Sequence, residues 1–546
     1  MTSRTKIILA IVVIVAIIIL YTHYEKLLPS ANSSVQNVNE PKATFQAMPS
    51  TGNRNLLYKI WVSAFRDSNS DGVGDINGIV EKLDYLKTLG VSRLQLSPIF
   101  SSPAYHGYEV SDYRSIESKY GTMQDFDVLI ESARKKGIEI ILDIPINHTS
   151  DQHPWFLGAL GTQSQYADYY IWQDVPTPSY GKPWGDHSDP LSVFHTKKER
   201  NGYYYGVFGY HSPDLNFENP KVVDEFKNIF RFWINKGVKG FRIDAARYLI
   251  ETGSLEGQRD TKETLMLLNF FNNYIKSISQ DSFFIGEVFA STEVQNLYFC
   301  SDKILDYLYN FEFGPFVLDL INNDEISKKG RVAEIKKLYQ YLSSSEIPMS
   351  KQYVFYQNHD LPRINIDNLN KLKLAYSLLL TSPFQISLYY GEENGQTGFS
   401  QESDLFYRDA MIWSDDNIAD PIKNYLPEII REDYLLWKSN REVNKNLFEY
   451  INSSIRLRQL AKVYDDHDID ISLDLSNESF IVYSIFSKNK SYFAIINPDV
   501  ELPQDFNVSM LPPGSYKNIQ NDEFFYANEV FKVLPGEFIL IRKYND

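Results

Sequence analysis

Charged and polar side chains interrupt apolar runs at four places in this 546-residue chain. They are Asn147 and His148 in "DIPINH", Arg242 and Asp244 in "GFRIDAA", Glu287 in "FFIGEVF", and His359 and Asp360 in "YQNHD". A charge set in apolar sequence is costly to bury unless it is paired, so each one needs a reason. A single carboxylate would read as a structural ion pair. Three carboxylates with two histidines and an arginine, spread over separate segments, read as a reaction centre. Paired carboxylates suit glycoside chemistry, where one acid protonates the leaving oxygen and another attacks or stabilises the anomeric carbon. A third would add electrostatic stabilisation. The H-E-x-x-H spacing of a catalytic zinc site and the G-x-S-x-G elbow of a serine hydrolase are both missing from the sequence.

A second oxygen-rich stretch, "DSNSDGVGD" at 67 to 75, sets Asp67, Asn69 and Asp71 at alternate positions, with Asp75 after a gap. It copies the first nine positions of an EF-hand loop, including the glycine at position six, Gly72. Position twelve is Gly78 instead of a bidentate glutamate, and the preceding "LYKIWVSAF" is apolar and β-prone, so a calcium sensor is disfavoured. A structural Ca²⁺ or Mg²⁺ site fits alternate oxygens in a tight turn. A solvated acidic turn is the plain alternative.

To gather residues 147–148, 242–244, 287 and 359–360, the chain must return repeatedly to one face. Eight strand candidates supply those returns: "LYKIWVSAF", "VSRLQLSPI", "IEIILDIPI", "GFRIDAA", "FFIGEVF", "YLYNFEF", "YVFYQNHD" and "FQISLYYGEE". Amphipathic helical segments alternate with them, such as "INGIVEKLDYLKTLG" and "VVDEFKNIFRFWINKG", each ending at a glycine. The expected fold is therefore α/β, a (β/α)8 TIM barrel over residues 53–444, whose C-terminal mouth collects the polar strand ends. Residues 149–218, rich in Tyr, Trp, Gly, Pro and Asp, form an inserted subdomain after strand three. The runs "SFIVYSIF", "SYFAIINP" and "EFILIRK" place a C-terminal antiparallel β-sandwich at 445–546.

A net charge of −16 argues against a nucleic-acid partner. The one cysteine, Cys300, cannot close an intrachain disulfide. Arg4 and Lys6 precede eighteen uncharged residues, "IILAIVVIVAIIILYTHY", long enough for an N-terminal membrane-spanning or signal helix over 1–24. No A-x-A-like cleavage site follows closely, which favours an uncleaved anchor with the rest of the chain outside the cytoplasm. A cleaved signal would make the protein secreted. Residues 25–52 read as a stalk.

Taken in order from about residue 55, "DIPINH", "SPDLN" at 212 to 216, "GFRIDAARYL", "GEV" and "QNHD" resemble the sequence regions of the α-amylase superfamily, glycoside hydrolase family 13. The likeness is to its α-amylase and α-glucosidase-type members. The resemblance implies Asp244 as the nucleophile of a covalent glycosyl intermediate, Glu287 as general acid and then base, and Asp360 as the carboxylate that binds sugar hydroxyls and distorts the ring. It implies that Arg242 holds Asp244 ionised, and that Tyr108, His148 and His359 line the subsite of the sugar being cleaved. Retention of configuration would set the Asp244 and Glu287 carboxyls about 5 to 5.5 Å apart. "DSNSDGVGD" is similar to the metal loop of α-glucosidase-type members, which implies structural Ca²⁺ held by Asp67, Asn69, Asp71, the Val73 carbonyl and Asp75.

The activity implied is hydrolysis of α-1,4 bonds in starch-derived glucans or maltooligosaccharides. Glucosyl transfer or isomerisation by the same intermediate is the alternative. Three positions depart from the pattern: Tyr105 stands where exo-acting members commonly carry Asp, Ala245 where α-1,6-acting members often carry valine, and "RDAMIW" replaces "RTPMQW". Heavy chains of amino-acid transporters share the layout of one span and an amylase-like ectodomain. They typically need a cysteine just outside the membrane, and this stalk has none, so no disulfide-linked partner is expected.

Overall fold

The computed structural model describes residues 56–185, 188–299, 304–366, 368–397, 404–413, 441–461, 470–487 and 490–544. The expected N-terminal helix (1–24), the stalk and Cys300 lie outside them. Among the described residues no helix is long and apolar enough to cross a membrane.

All eight expected strands form. The first three are β1 (Leu56–Ile60), β2 (Arg93–Leu96) and β3 (Glu139–Pro145). An insert follows with β4 (Trp172–Gln173), β5 (Phe194–Lys197) and β6 (Arg200–Tyr205), and the barrel resumes with β7 (Gly240–Asp244), β8 (Phe283–Gly286), β9 (Tyr307–Asn310), β10 (Gln352–Val354) and β11 (Gln385–Tyr389). The eight barrel strands run parallel and close, β1 pairing with β11 through Leu56↔Ile386 and with β2 through Leu57↔Arg93. Both faces of each strand are covered, which explains the near-continuous apolar runs. Leu57, Ile141, Phe283, Ile285, Tyr309 and Tyr353 pack inside the barrel, while Tyr58, Leu142, Phe241 and Phe284 pack outward against the helices. The two-residue period of a strand then turns Lys59, two after Leu57, and Asp143, two after Ile141, toward the interior.

Local signals set the helices. Asp75 caps the helix Ile76–Leu89 by accepting from Gly78 N–H, and Gly90 ends it at φ +93°. Thr122 and Asp125 form a capping box on Met123–Lys136.

Three expected boundaries shift. "LYKIWVSAF" leaves the sheet at Ile60, and Val62–Phe65 becomes a helical turn, because Trp61 turns into the barrel mouth and stacks on His359 at 5.4 Å. "YLYNFEF" stops at Asn310, whose side-chain oxygen accepts from Phe313 N–H at the start of the helix Phe313–Asn322. The division expected at 444/445 falls inside the helix Arg441–Ala461. That helix buries Leu447, Ile451 and Ile455 against the barrel, and its Arg458 donates to the carbonyls of Leu380, Ser382 and Phe384. It belongs to the barrel, and the C-terminal unit begins after it.

That unit is an antiparallel sheet. Its strands in chain order are β12 (Asp470–Ser472), β13 (Ile481–Ser487), β14 (Lys490–Ile496), β15 (Gln504–Asn507), β16 (Ser515–Asn518), β17 (Phe524–Phe525), β18 (Val530–Val533) and β19 (Phe538–Tyr544). Six of them order as β12-β13-β14-β19-β16-β17, and β15 pairs with β18 as a ribbon. Val482, Phe493, Ile495, Phe506, Val533 and Ile541 fill the space between sheet and ribbon. Tyr483, Tyr492 and Leu540 face the barrel. The insert is a small antiparallel sheet, β4-β6-β5, with Tyr180, Val193, Phe194 and Tyr205 as its own core.

The contact between the loop at 67–75 and the helix that follows it is tight. A Cβ on Gly78 would lie 2.0 Å from the Arg66 carbonyl oxygen. Gly78→Ala is expected to destabilise the protein by about 1–3 kcal/mol, read by denaturant unfolding. An unchanged midpoint would show that the helix start is free to move.

Candidate active site

The site is organised around Arg242 on β7. Phe241 and Ile243 face outward, so the period of two turns Arg242 and Asp244 inward. The register Asp143↔Arg242 sets an acid on β3 beside the guanidinium. Arg242 Nη1 donates to Asp143 Oδ1 at 2.6 Å and to Asp244 Oδ1, and Nη2 meets Glu287 Oε2 at 2.8 Å. Glu287 follows the end of β8 and accepts a second bond, 3.0 Å from Ala245 N–H. Ala245 takes φ +50°, an unusual conformation for a residue with a side chain, and that turn is what aims its N–H at Glu287.

Asp143 is fully buried and its other oxygen, Oδ2, accepts from Tyr108 OH at 3.1 Å and Gln95 Nε2 at 3.3 Å, with Lys59 at 3.7 Å. Tyr108 OH also contacts His359 Nε2 at 2.6 Å, and the two rings are nearly parallel at 12°. His359 Nε2 lies 2.9 Å from Asp360 Oδ2, whereas its Nδ1 is buried without a partner. With Tyr108 donating to Asp143 and Asp360 accepting, these contacts assign the imidazole proton to Nε2. Arg408 completes this side: it donates to Asp360 Oδ1 at 3.1 Å, to the His359 carbonyl at 3.1 Å and to Tyr105 OH at 2.7 Å, with its guanidinium 4.5 Å from the Trp61 ring centre.

The electrostatics follow from burial. Asp244 is pushed well above the usual carboxylate range by burial, against the pull of Arg242, with Glu287, Asp143 and Asp360 adding repulsion. The expected hold of Arg242 on Asp244 works here against burial, with one cation shared by three acids. Asp360 is held far below its ordinary value: burial acts upward, and His359, Arg408 and Lys59 outweigh it. Burial lowers Lys59 to about 8, reinforced by Arg242. It also lowers His359 to about 4 and His148 to about 3, so both rings are neutral at pH 7. Of the three carboxyl side chains, Asp360 is the most open at 43% exposure, against 22% for Glu287 and 14% for Asp244.

The fold thus brings Asp244, Glu287, Asp360, Arg242, Tyr108 and His359 into one network. His148 joins at its edge. Its Nδ1 lies 2.9 Å from Asn147 Oδ1, and Asn147 Nδ2 bonds Asp214 and the Tyr248 carbonyl. The reading of residue types missed Asp143, Lys59, Trp61 and Arg408. Asp143 and Lys59 carry the signal that found Arg242, a charge inside an apolar strand. Arg408 opens the "RDAMIW" stretch without a role being assigned to it, and Trp61 carries no local signal.

The loop at 67–75 lies apart from this network. Asp67 accepts from the N–H groups of Asn69, Ser70 and Gly72, Asp75 from Ser68 and Gly78, and Asn69 and Asp71 bond each other. Its oxygen donors are of the kind hard cations take. In this arrangement they close the turn on itself, and among the described residues no group of three or more His, Cys, Asp or Glu converges to hold a metal.

The chain matches the family of α-amylase catalytic domains over residues 59–466. It is 37% identical over 365 residues to "Alpha-amylase 3" of Dictyoglomus thermophilum, covering 66% of this chain and 68% of that one. It is 29% identical over 465 residues to a 4-alpha-glucanotransferase of Thermotoga maritima, covering 79% and 98%. Among solved structures, the α-amylase from H. orenii superposes with TM-score 0.73 at 29% identity, over 90% of this chain and all (100%) of that one. Eubacterium rectale Amy13B gives 0.72 at 26%, over 91% and 96%.

Buried neutral histidines make stability pH-dependent. Burial also lowers His153, at the N-cap of Pro154–Ala159, to about 4. A histidine depressed in the folded state contributes stability that is complete above the unfolded value, near pH 6.5, and is lost as pH falls toward about 4. His153→Asn puts an amide oxygen in place of the ring Nδ1 that accepts from Trp155 N–H, and removes the titration. It is expected to flatten the fall in unfolding free energy between pH 6 and pH 4.5 by up to about 1.4 kcal/mol per unit, and an unaltered slope would refute this.

Proposed function

The chain belongs to the α-amylase family of glycoside hydrolases, and from that premise we propose that it hydrolyses α-1,4 bonds of starch-derived glucans or maltooligosaccharides with retention. The observation that carries this reading is that the two ends of one buried guanidinium hold Asp244 and Glu287. A proton on Glu287 removes one of the charges that raise Asp244. The reaction calls for the pair's proton on Glu287 and the negative charge on Asp244 facing Arg242. Glu287 gives that proton to the glycosidic oxygen as Asp244 attacks the anomeric carbon. Glu287, now ionised, takes a proton from water, which attacks the same carbon and releases Asp244.

Asp360 is ionised and open, suited to accept from sugar hydroxyls, with Arg408 and His359 fixing its position. The partly exposed Tyr108 ring, aligned by His359 and backed by Trp61, offers a flat face to a pyranose. Arg408 meets the hydroxyl of Tyr105 where exo-acting members commonly carry a carboxylate, which supports cleavage within a chain.

A second reading, glucosyl transfer, is favoured by exposed aromatic rings at the rim. Phe289, two residues after Glu287, is 63% exposed and lies 4.7 Å from Phe311. Trp184 stacks on Phe208 at 5.3 Å, beside His148 and Tyr248. Such walls suit a sugar acceptor as well as a leaving group.

A time course of products from maltoheptaose tests both. Short maltooligosaccharides that disappear with Asp244→Asn, at a loss of roughly 10³-fold or more, support hydrolysis. Products longer than the substrate shift the reading to transfer, and no conversion by folded protein sinks both.

We also propose that Asp67, Asn69, Asp71, the Val73 carbonyl and Asp75 take Ca²⁺, with Mg²⁺ weaker, after the exposed Asn69 and Asp71 turn their oxygens inward. The ion would contribute structural clamping only. Calcium is expected to raise the melting temperature over a chelated sample, and Asp67→Ala to remove that response. Identical melting with calcium and chelator would assign the loop to a self-closed turn.

A further inference from the structure

Between the insert and the barrel lies a cavity of about 400 Å³, lined by none of the groups gathered around Arg242. Its size is that of a small-molecule site. The rings of Tyr170, Trp172, Tyr180, Tyr205 and Phe217 form much of its wall, and Glu251 stands among them. Two wall residues hold polar groups without partners: the indole N–H of Trp172, and both carboxylate oxygens of Glu251, all out of solvent contact. Buried polar groups are nearly always paired, so an orphan indole N–H and an orphan carboxyl, the latter pushed well above the usual range by burial and by Asp214, need an explanation on one cavity. No other side chain bonds either group, so a ligand reaching them displaces none.

The chemistry of the wall selects among ligands. Asp168, Glu218 and Glu251 face a single Arg200, which disfavours an anion. A metal ion would satisfy the carboxylate and leave the indole N–H unpaired, and no metal-holding cluster occurs among the described residues. A neutral hydroxylated molecule supplies donors for Glu251, an acceptor for Trp172 and C–H faces for the rings. Arg200 holds the indole in place, 4.0 Å from the Trp172 ring while bonded to the carbonyls of Ala159 and Ala167.

We propose that this cavity is a non-catalytic binding pocket for a neutral sugar, a glucosyl unit or the end of a maltooligosaccharide. Only the identity of the sugar rests on the α-glucan reading. The pocket neighbours the cleft along the chain without sharing its residues. Glu251 ends the segment that leaves β7 at Asp244, and Arg247 within that segment donates to the Phe289 carbonyl beside Glu287 at 2.7 Å.

Calorimetric titration of the full-length Asp244→Asn protein with maltotriose reads cleft and pocket together, and two binding events are expected. Trp172→Phe, which keeps a ring and removes the N–H, and Glu251→Ala, each added to Asp244→Asn, are expected to weaken one event about tenfold and spare the other. In the Asp244-intact protein neither should alter turnover of a short aryl α-glucoside. A single event lost in both variants keeps the pocket and sinks the maltooligosaccharide reading of the cleft. A single event indifferent to both, or none at all, overturns the pocket.

Discussion

The pairing of β3 with β7 is the constraint on which the site depends. Asp143 and Arg242 are partners in that ladder, so the 2.6 Å contact between them is fixed by backbone register before any side chain chooses a rotamer. A slip of one residue would turn Arg242 and Asp244 outward into the apolar layer and leave Asp143 with only the more distant Lys59, at 3.7 Å. The cost of an uncompensated buried charge, about 3–5 kcal/mol when one partner is removed, makes that register strongly preferred. Function and fold share the same ion pairs here. Arg242 neutralises Asp143 permanently and divides its remaining donors between Asp244 and Glu287.

Tyr108 joins the two halves of the cleft. It donates to Asp143 on one side and meets His359 on the other, so the nucleophile's surroundings and those of Asp360 are coupled through one hydroxyl. Asp360 departs from Asp244 in electrostatic sense because its neighbours differ. Of the three carboxyls, Asp360 is the one that Arg408 and His359 contact, whereas Asp244 competes for Arg242. Carboxyls of one type thereby acquire opposite tendencies within a single mouth.

Much of this was legible in the sequence because parallel strands buried on both faces leave apolar runs whose rare charges stand out. Arg242, Asp244 and Glu287 were found that way, and Asp143 and Lys59 obey the same rule. Trp61 and Arg408 were not legible, because their importance comes from partners brought close only by closure of the barrel, as when Arg408 reaches Tyr105 across 303 positions. The helix Arg441–Ala461 was obscured for a different reason. Its polar face gives it the composition of a linker, and the barrel it covers was the missing information. The orphan groups of Trp172 and Glu251 were invisible for the same reason, since an unpaired atom is a property of the folded surroundings.

The closing seam of the barrel has a consequence for synthesis. Leu56 on β1 pairs with Ile386 on β11, a separation of 330 residues (386 minus 56). At roughly 5–20 residues per second, β1 leaves the ribosome tens of seconds before its partner exists. During that interval one edge of an apolar strand stands open to any passing β-segment. Closure of the barrel therefore waits on β11, and a chain cut short of it leaves the second edge of β1 without its partner.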